Sequence, residues 1–154
     1  MSRQISDLSI TPRRRWMGIL AKSPRAALER AWNELGDKPE YRLLRAPEIG
    51  LAMVRGRIAG AGEPFNLGEM TMTRAAVQIA APQGGTLTGY GHVAGRQPRH
   101  AELAAIFDAM LQRGDECAAA LIEDLAGKLA AGRAAKAAKV APSKVEFFTL
   151  VRGE

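Results

Sequence analysis

Arginines and glycines are concentrated in one central stretch of the 154-residue sequence, residues 47–74, which reads PEIGLAMVRGRIAGAGEPFNLGEMTMTR. Arg55 and Arg57 are two positions apart, and on a β-strand such side chains project from the same face. Two neighbouring guanidinium groups repel each other unless an anion lies between them. That anion is either a bound ligand or a carboxylate of the chain, for which Glu48 and Glu69 are the candidates. The sequence leaves both interpretations open.

The glycines of this stretch suit an anion site because they let backbone N–H groups approach an anion closely. Gly60 and Gly62 follow the two arginines, and Arg74 lies further along the chain. The stretch contains neither a dinucleotide fingerprint nor a P-loop, since no Gly-Lys-Ser/Thr follows and no helix is predicted to begin there. A glycine-rich hairpin accounts for the same residues equally well.

A second polar cluster, Arg96, His100 and Glu102, lies at the predicted start of a helix. Cationic side chains at a helix N-terminus favour phosphate binding. In the alternative interpretation, Glu102 satisfies these charges within the chain, and His100 only forms a local hydrogen bond.

The sequence contains no recognisable catalytic motif and no metal-binding motif. Cys117 is the single cysteine, which excludes a disulfide framework and a cysteine-cluster metal site. His92 and His100 are the only histidines, so no metal site is expected. There is no nucleophile elbow and no HExxH motif, and Cys117 is expected to be a small packing residue of a helix. The sequence therefore indicates a binding or subunit role.

The chain is basic, with 22 Lys+Arg against 16 Asp+Glu and a net charge of +6. Together with the arginine run at positions 13–15 and a basic helix ending at Lys139, this supports an alternative function as a small nucleic-acid-binding protein. Aromatic residues make up 5% of the chain, too few for a base-stacking platform. No apolar stretch is long enough for a membrane helix, and a cytoplasmic protein is expected.

The length predicts one domain, residues 1–154, of the α+β class. After a loose N-terminus at residues 1–10, Thr11-Pro12 and Ser23-Pro24 predict a pair of short helices, the second ending at Gly36. An antiparallel sheet follows, with strands predicted over residues 50–57, 69–79 and 86–93 and glycine-rich turns between them.

Two further helices are predicted from their apolar periodicity, one beginning at Pro98 and ending near Gly114, and one capped by Asp115 and ending at Pro142. The C-terminal tail, residues 144–154, contains the run KVEFFTLV, which is apolar on both faces. It is predicted to be a short buried strand or a subunit-docking segment. The candidates for docking are Phe147, Phe148, Leu150 and Arg152.

Three long runs of the sequence resemble the G subunit of the bacterial phosphonate carbon–phosphorus lyase system. They read RAPEIGLAMVRGRIAGAGEPFNLGEMTMTRAAV, GYGHVAGRQPRHAELAAIFDAMLQ and SKVEFFTLVRGE, and the N-terminal RRWMGILA is similar too. One position departs from the family: Gln97 stands where the family commonly has aspartate, which removes a carboxylate near Arg96 and His100.

The resemblance implies a subunit of α-D-ribose 1-methylphosphonate 5-triphosphate synthase. In that family the G, H, I and L subunits convert ATP and an alkylphosphonate to the ribose phosphonate triphosphate, with release of adenine. The G subunit joins the H, I and J subunits in a core complex, and the I subunit carries the nucleosidase chemistry. The resemblance thus implies no cofactor in this subunit and ATP with magnesium as a substrate of the complex. It leaves open whether Arg55, Arg57 and Arg74 contact the nucleotide or form an interface with a partner; we favour the interface, because the I subunit is expected to contain the active site.

Overall fold

Two short helices precede the sheet. In the computed structural model, which describes residues 12–143, α1 spans Pro12–Lys22 and α2 spans Arg25–Glu34. The predicted helix pair is therefore confirmed. The predicted glycine stop is wrong, because α2 is followed directly by Leu35 in an extended conformation, which ends the helix before Gly36 is reached.

Three strands form one antiparallel sheet in the order β1-β2-β3: β1 spans Tyr41–Arg57, β2 Pro64–Ala80 and β3 Thr86–Ala94. The predicted antiparallel pairing is confirmed, but β1 and β2 begin earlier than predicted. Proline and arginines obscure the apolar alternation in the first part of β1. An edge strand tolerates a proline, and β1 accommodates this part through two shifts of register between Leu43 and Glu48.

The sheet is uneven in width. β3 pairs with β2 only from Met72 to Ala80, and one further backbone bond joins the Gly95 N–H to the carbonyl oxygen of Thr71. Beyond that point β1 and β2 continue as a two-stranded ribbon. We call residues 51–71 the arm. Its tip is a turn that contains the short 3-10 helix Ile58–Gly60.

Two longer helices follow the sheet. α3 spans Pro98–Arg113 and α4 Glu116–Val140, followed by a 3-10 turn, Ala141–Ser143. Gly114 ends α3 in the left-handed conformation with φ of 89°, as predicted. Asp115 precedes α4, but its carboxylate does not cap the helix, because it accepts hydrogen bonds from Arg113 instead.

The core lies between α3 and the wide part of the sheet. α3 approaches β3 so closely that a Cβ atom at Gly91 would fall on the carbonyl oxygen of Ala101, and one at Gly89 would fall on that of Ala105. These two glycines let the helix backbone rest on the strand. The fully buried side chains include Leu20, Leu28, Val77, Ile79, Val93, Leu103, Ile106, Phe107 and Met110.

The predicted α+β fold is thus confirmed, with one packing prediction wrong. Cys117 is exposed, because the buried stripe of α4 is formed by Ala118, Ile122 and Leu125. The loose N-terminus and the C-terminal strand were predicted for residues that lie outside the described range, and the single domain stays a prediction. None of the described helices is long and apolar enough to cross a membrane.

Candidate functional site

The tip of the arm gathers three of the predicted anion-site residues. Arg55, Arg57 and Gly60 line an open hollow of about 460 Å³. Arg57 donates from Nη1 to the carbonyl oxygen of Gly62 at 2.9 Å, which holds its guanidinium against the turn. Arg55 forms no hydrogen bond or ion pair with any residue in the described range. The hollow therefore has an unused guanidinium at its edge.

Glycine is required at two positions of this turn. Gly60 has a φ of 77°, a conformation that side chains rarely adopt. A Cβ atom at Gly62 would lie 3.0 Å from the carbonyl oxygen of Ile58, to which the Gly62 N–H donates a hydrogen bond of 2.9 Å. The glycines are thus accounted for by the geometry of the turn itself.

Neither of the two candidate carboxylates, Glu48 and Glu69, pairs with Arg55 or Arg57. Strand register places Glu48 opposite Arg74, at the base of the arm, where its Oε2 accepts from Arg74 Nε at 3.1 Å. Glu69 lies opposite Met53 and pairs with no arginine among residues 12–143. The predicted cluster is therefore divided between the base and the tip of the arm. Successive residues of a strand lie about 3.3 Å apart, and Glu48 is seven positions from Arg55 along β1.

Glu102, in the first turns of α3, is satisfied within the protein. Glu102 accepts from Arg99 Nη1 at 2.8 Å and from the Tyr41 hydroxyl at 2.7 Å. Burial raises the pKa of Tyr41, and its hydrogen bond to the Glu102 carboxylate raises it further. Arg96 forms no ion pair with the described residues. The predicted cluster is therefore divided between an internal pair and one unpaired cation.

His100 faces the interior instead of a surface ligand. Only 3% of the residue is exposed, and its Nε2 lies 2.9 Å from the carbonyl oxygen of Leu20, at the end of α1. Its Nδ1 has no partner in the described structure. The histidine therefore joins α3 to α1, and its partner lies 80 residues away in the sequence. The alternative prediction of a local hydrogen bond is wrong.

A buried carboxylate that the sequence analysis missed organises the other end of α3. Asp108 is 0% exposed. Its Oδ2 accepts from Arg13 Nη2 at 2.8 Å, and from the Tyr90 backbone N–H at 2.9 Å. Its Oδ1 accepts from Trp16 Nε1 at 2.8 Å. The signal available in the sequence was an acidic residue inside the apolar run AAIFDAM.

This network changes the interpretation of the N-terminal arginine run. The hydrogen bond to Asp108 raises the pKa of Arg13, whose guanidinium also stacks 5.6 Å from the centre of the Tyr90 ring. Arg15 pairs with Glu123 on α4 at 2.7 Å. Two of the three arginines therefore attach α1 to α3 and α4, which weakens the run as evidence for nucleic-acid binding.

The exposed surface differs in character from these internal networks. The arm carries six exposed large apolar side chains: Leu51, Met53, Ile58, Phe65, Leu67 and Met70. No group of His, Cys, Asp or Glu among the described residues could hold a metal ion. An apolar projection on a small α+β protein, with its charged networks used internally, is typical of a subunit of a larger assembly.

Comparison with known proteins identifies the family. The model of the family described as "Phosphonate metabolism protein PhnG" matches residues 11–153. The alpha-D-ribose 1-methylphosphonate 5-triphosphate synthase subunit PhnG of Rhizobium meliloti (strain 1021) is 43% identical over 150 residues, covering 96% of this chain and 94% of that protein. The chain therefore belongs to the PhnG family of phosphonate metabolism proteins.

Proposed function

We propose that this protein is a non-autonomous subunit of a cytoplasmic α-D-ribose 1-methylphosphonate 5-triphosphate synthase. With partner subunits of the H, I and L types it takes part in the conversion of ATP and an alkylphosphonate to the ribose phosphonate triphosphate and adenine. With H, I and J it forms the core complex. The observation that carries this proposal is the match to a synthase subunit along almost the whole chain.

The arm supports the assembly part of the proposal. Leu51 pairs with Thr71, and the neighbouring Thr73 is buried on the face of the sheet that α3 covers. Alternate residues of a strand share a face, so Leu51 and Met53 lie on the same face of the sheet as Thr73. They lie beyond the part of that face that α3 covers. Their exposed fractions are 66% and 53%.

A two-stranded ribbon is only marginally stable in water, so an apolar ribbon needs another protein surface that packs against its side chains. We assign this surface to a partner subunit, with the I subunit as the first candidate. Arg55 and Arg57 at the tip would then meet the partner's carboxylates, and Arg74 at the base already has a carboxylate partner. The tail residues Phe147 and Phe148 remain predicted docking residues outside the described range.

The chemistry itself is proposed to lie on the partner subunits. Several arginines and carboxylates of this chain pair with each other, either between two elements, as Arg13 does with Asp108, or within one helix, as Arg99 does with Glu102. We propose further that this subunit carries no cofactor of its own and that ATP with magnesium enters as a substrate of the complex.

The pathway part of the proposal is tested by deleting the gene. A deletion strain should fail to grow on methylphosphonate as sole phosphorus source, while it grows normally on phosphate, and a plasmid copy should restore growth. Normal growth of the deletion strain on methylphosphonate, in a genome without a second copy, would contradict the proposal.

The assembly part is tested with Leu51→Asp on the arm, because a charge at the centre of an apolar interface opposes docking. Co-purification of the H, I and J subunits with the tagged variant should fall at least about tenfold. Leu44→Asp is the matched control, since Leu44 is exposed on the same strand but outside the arm. Equal recovery of partners with both variants would show that the arm is not the docking surface.

A further inference from the structure

A groove between α1 and α4 concentrates cationic side chains that the fold does not use. Arg14, Arg15 and Lys22 line it from α1, and Arg133 lines it from α4, around a hollow of about 530 Å³. Arg15 is paired with Glu123 beside the groove. Arg14, Lys22 and Arg133 form no hydrogen bond or ion pair with any residue that the structure describes, and no carboxylate is among the described lining residues.

The position of Arg14 is electrostatically unfavourable in the protein alone. The first turn of α1 contains no acidic residue and three arginines. The positive end of the helix dipole repels cations there. Arg13 is compensated by Asp108 and Arg15 by Glu123, which leaves Arg14 as the cation without a counter-charge. A bound anion would offset this repulsion.

The floor of the groove is kept open by a glycine. Gly18 lies in the middle of α1, where glycine weakens a helix, and a Cβ atom built on it would meet nothing within 4 Å. Ile19 and Leu129 complete the floor. The cations therefore surround a space that a larger residue at position 18 would fill.

We propose that this groove binds a small polyphosphate anion, of the kind carried by a nucleoside triphosphate. Guanidinium groups bind phosphate oxygens in pairs of parallel hydrogen bonds, and Arg14 and Arg133 reach the hollow from different helices. No aromatic side chain is among the described lining residues, so the bases of a nucleic acid would have no stacking platform. All lining residues of the site belong to this chain, so anion binding there can be tested separately from the proposed function.

The test is calorimetric titration of the full 154-residue chain, alone or in its purified assembly, with inorganic tripolyphosphate at moderate salt. One saturable site is expected. Arg14→Glu and Arg133→Glu should each weaken binding by about tenfold or more, because each replaces an attraction by a repulsion. Arg30→Glu is the matched control. It makes the same charge change at an exposed, unpaired arginine on α2, and should change affinity less than about twofold.

A second pair of variants tests the shape of the groove without changing its charge. Gly18→Leu should fill the floor and weaken tripolyphosphate binding, whereas Gly127→Leu, at an open position on α4 outside the groove, should not. Thermal unfolding of each variant shows whether the protein still folds. ATP should compete with tripolyphosphate, and adenosine should not.

Three outcomes would overturn the proposal. The first is the absence of saturable tripolyphosphate binding to the folded chain. The second is equal weakening by Arg30→Glu and Arg133→Glu, which would indicate binding by net charge alone. The third is stronger binding of an oligonucleotide than of tripolyphosphate, weakened as much by Lys136→Glu as by Arg133→Glu, which would indicate a nucleic-acid surface along α4. Assembly and growth on methylphosphonate are separate measurements, so failure of this site and failure of the proposed function are distinguishable.

Discussion

The two ends of the β1–β2 hairpin are made of the same strands but are stabilised differently. At the wide end β3 and α3 cover the sheet, and Val77 and Ile79 are buried; we call this end, together with β3 and the helices, the body. At the arm, neither β3 nor a described helix covers the strands, and Leu51 and Leu67 are exposed. The face of the sheet that packs on α3 is thus covered within the chain, whereas the arm leaves apolar side chains exposed, and these are the ones we propose a partner subunit covers.

Polar groups show the same contrast. In the body the buried Asp108 accepts hydrogen bonds from α1, α3 and β3, so one carboxylate joins three elements. At the tip of the arm Arg55 has no partner among the described residues, and Arg57 bonds only to the turn. The Asp108 network therefore holds elements of the body together, whereas the Arg55 guanidinium contributes no such contact among the described residues.

The largest expected effect comes from removing the carboxylate that joins the body. Asp108→Ala should lower the free energy of unfolding by about 3–5 kcal/mol, because it leaves buried donors and the Arg13 charge without their acceptor. Urea denaturation measures the change. Glu69→Ala, on the arm, should stay within about 0.5 kcal/mol. Similar losses at both positions would remove the distinction between body and arm.

A smaller effect is expected from the glycines. Gly91→Ala should cost about 1–3 kcal/mol, since its methyl group can be accommodated only if α3 moves away from β3. Gly68→Ala in the arm should cost less than about 0.5 kcal/mol, because a Cβ atom there meets nothing within 4 Å. Thermal unfolding of the two variants gives the comparison. A Gly68→Ala variant as unstable as Gly91→Ala would mean that the arm is packed in the free protein.

The smallest effect concerns Tyr41, which bonds to Glu102 in the body. At pH 8, Tyr41→Phe should lower the free energy of unfolding by about 1 kcal/mol. Burial, and then the Glu102 bond, raise the pKa of Tyr41 in the folded protein. Its contribution is therefore fully present below the unfolded pKa of about 10 and is lost as pH rises through the folded value.

The difference in unfolding free energy between wild type and Tyr41→Phe should accordingly narrow above about pH 10. Denaturation curves at pH 8 and at more alkaline pH provide the measurement. A difference that widens with pH would contradict the direction of the shift.

Local patterns made the body predictable. Apolar periodicity and Gly114 gave the extent of α3, and the Pro12 and Pro24 signals gave the two N-terminal helices, because each depends on residues close in sequence. The Asp108 network was not predictable in this way, since Arg13 is 95 residues away along the chain. Which acidic residue an arginine meets is decided by the tertiary fold.

The arm was unpredictable for a different reason. The alternation at residues 51–57 is the pattern of a half-buried strand in any sheet, and nothing in β1 itself shows where β3 ends. The same limit applied to the arginine cluster. The spacing correctly put Arg55 and Arg57 near the glycine turn, but only strand register shows that Glu48 faces Arg74.

The contact between Arg13 and Asp108 also constrains how the protein matures during synthesis. α1 and α2 have 11 and 10 residues, too short to persist as isolated helices in water. Both leave the ribosome long before Asp108 is translated, because synthesis proceeds from the N-terminus. The tertiary contacts that α1 makes with α3 can therefore form only after α3 has left the ribosome.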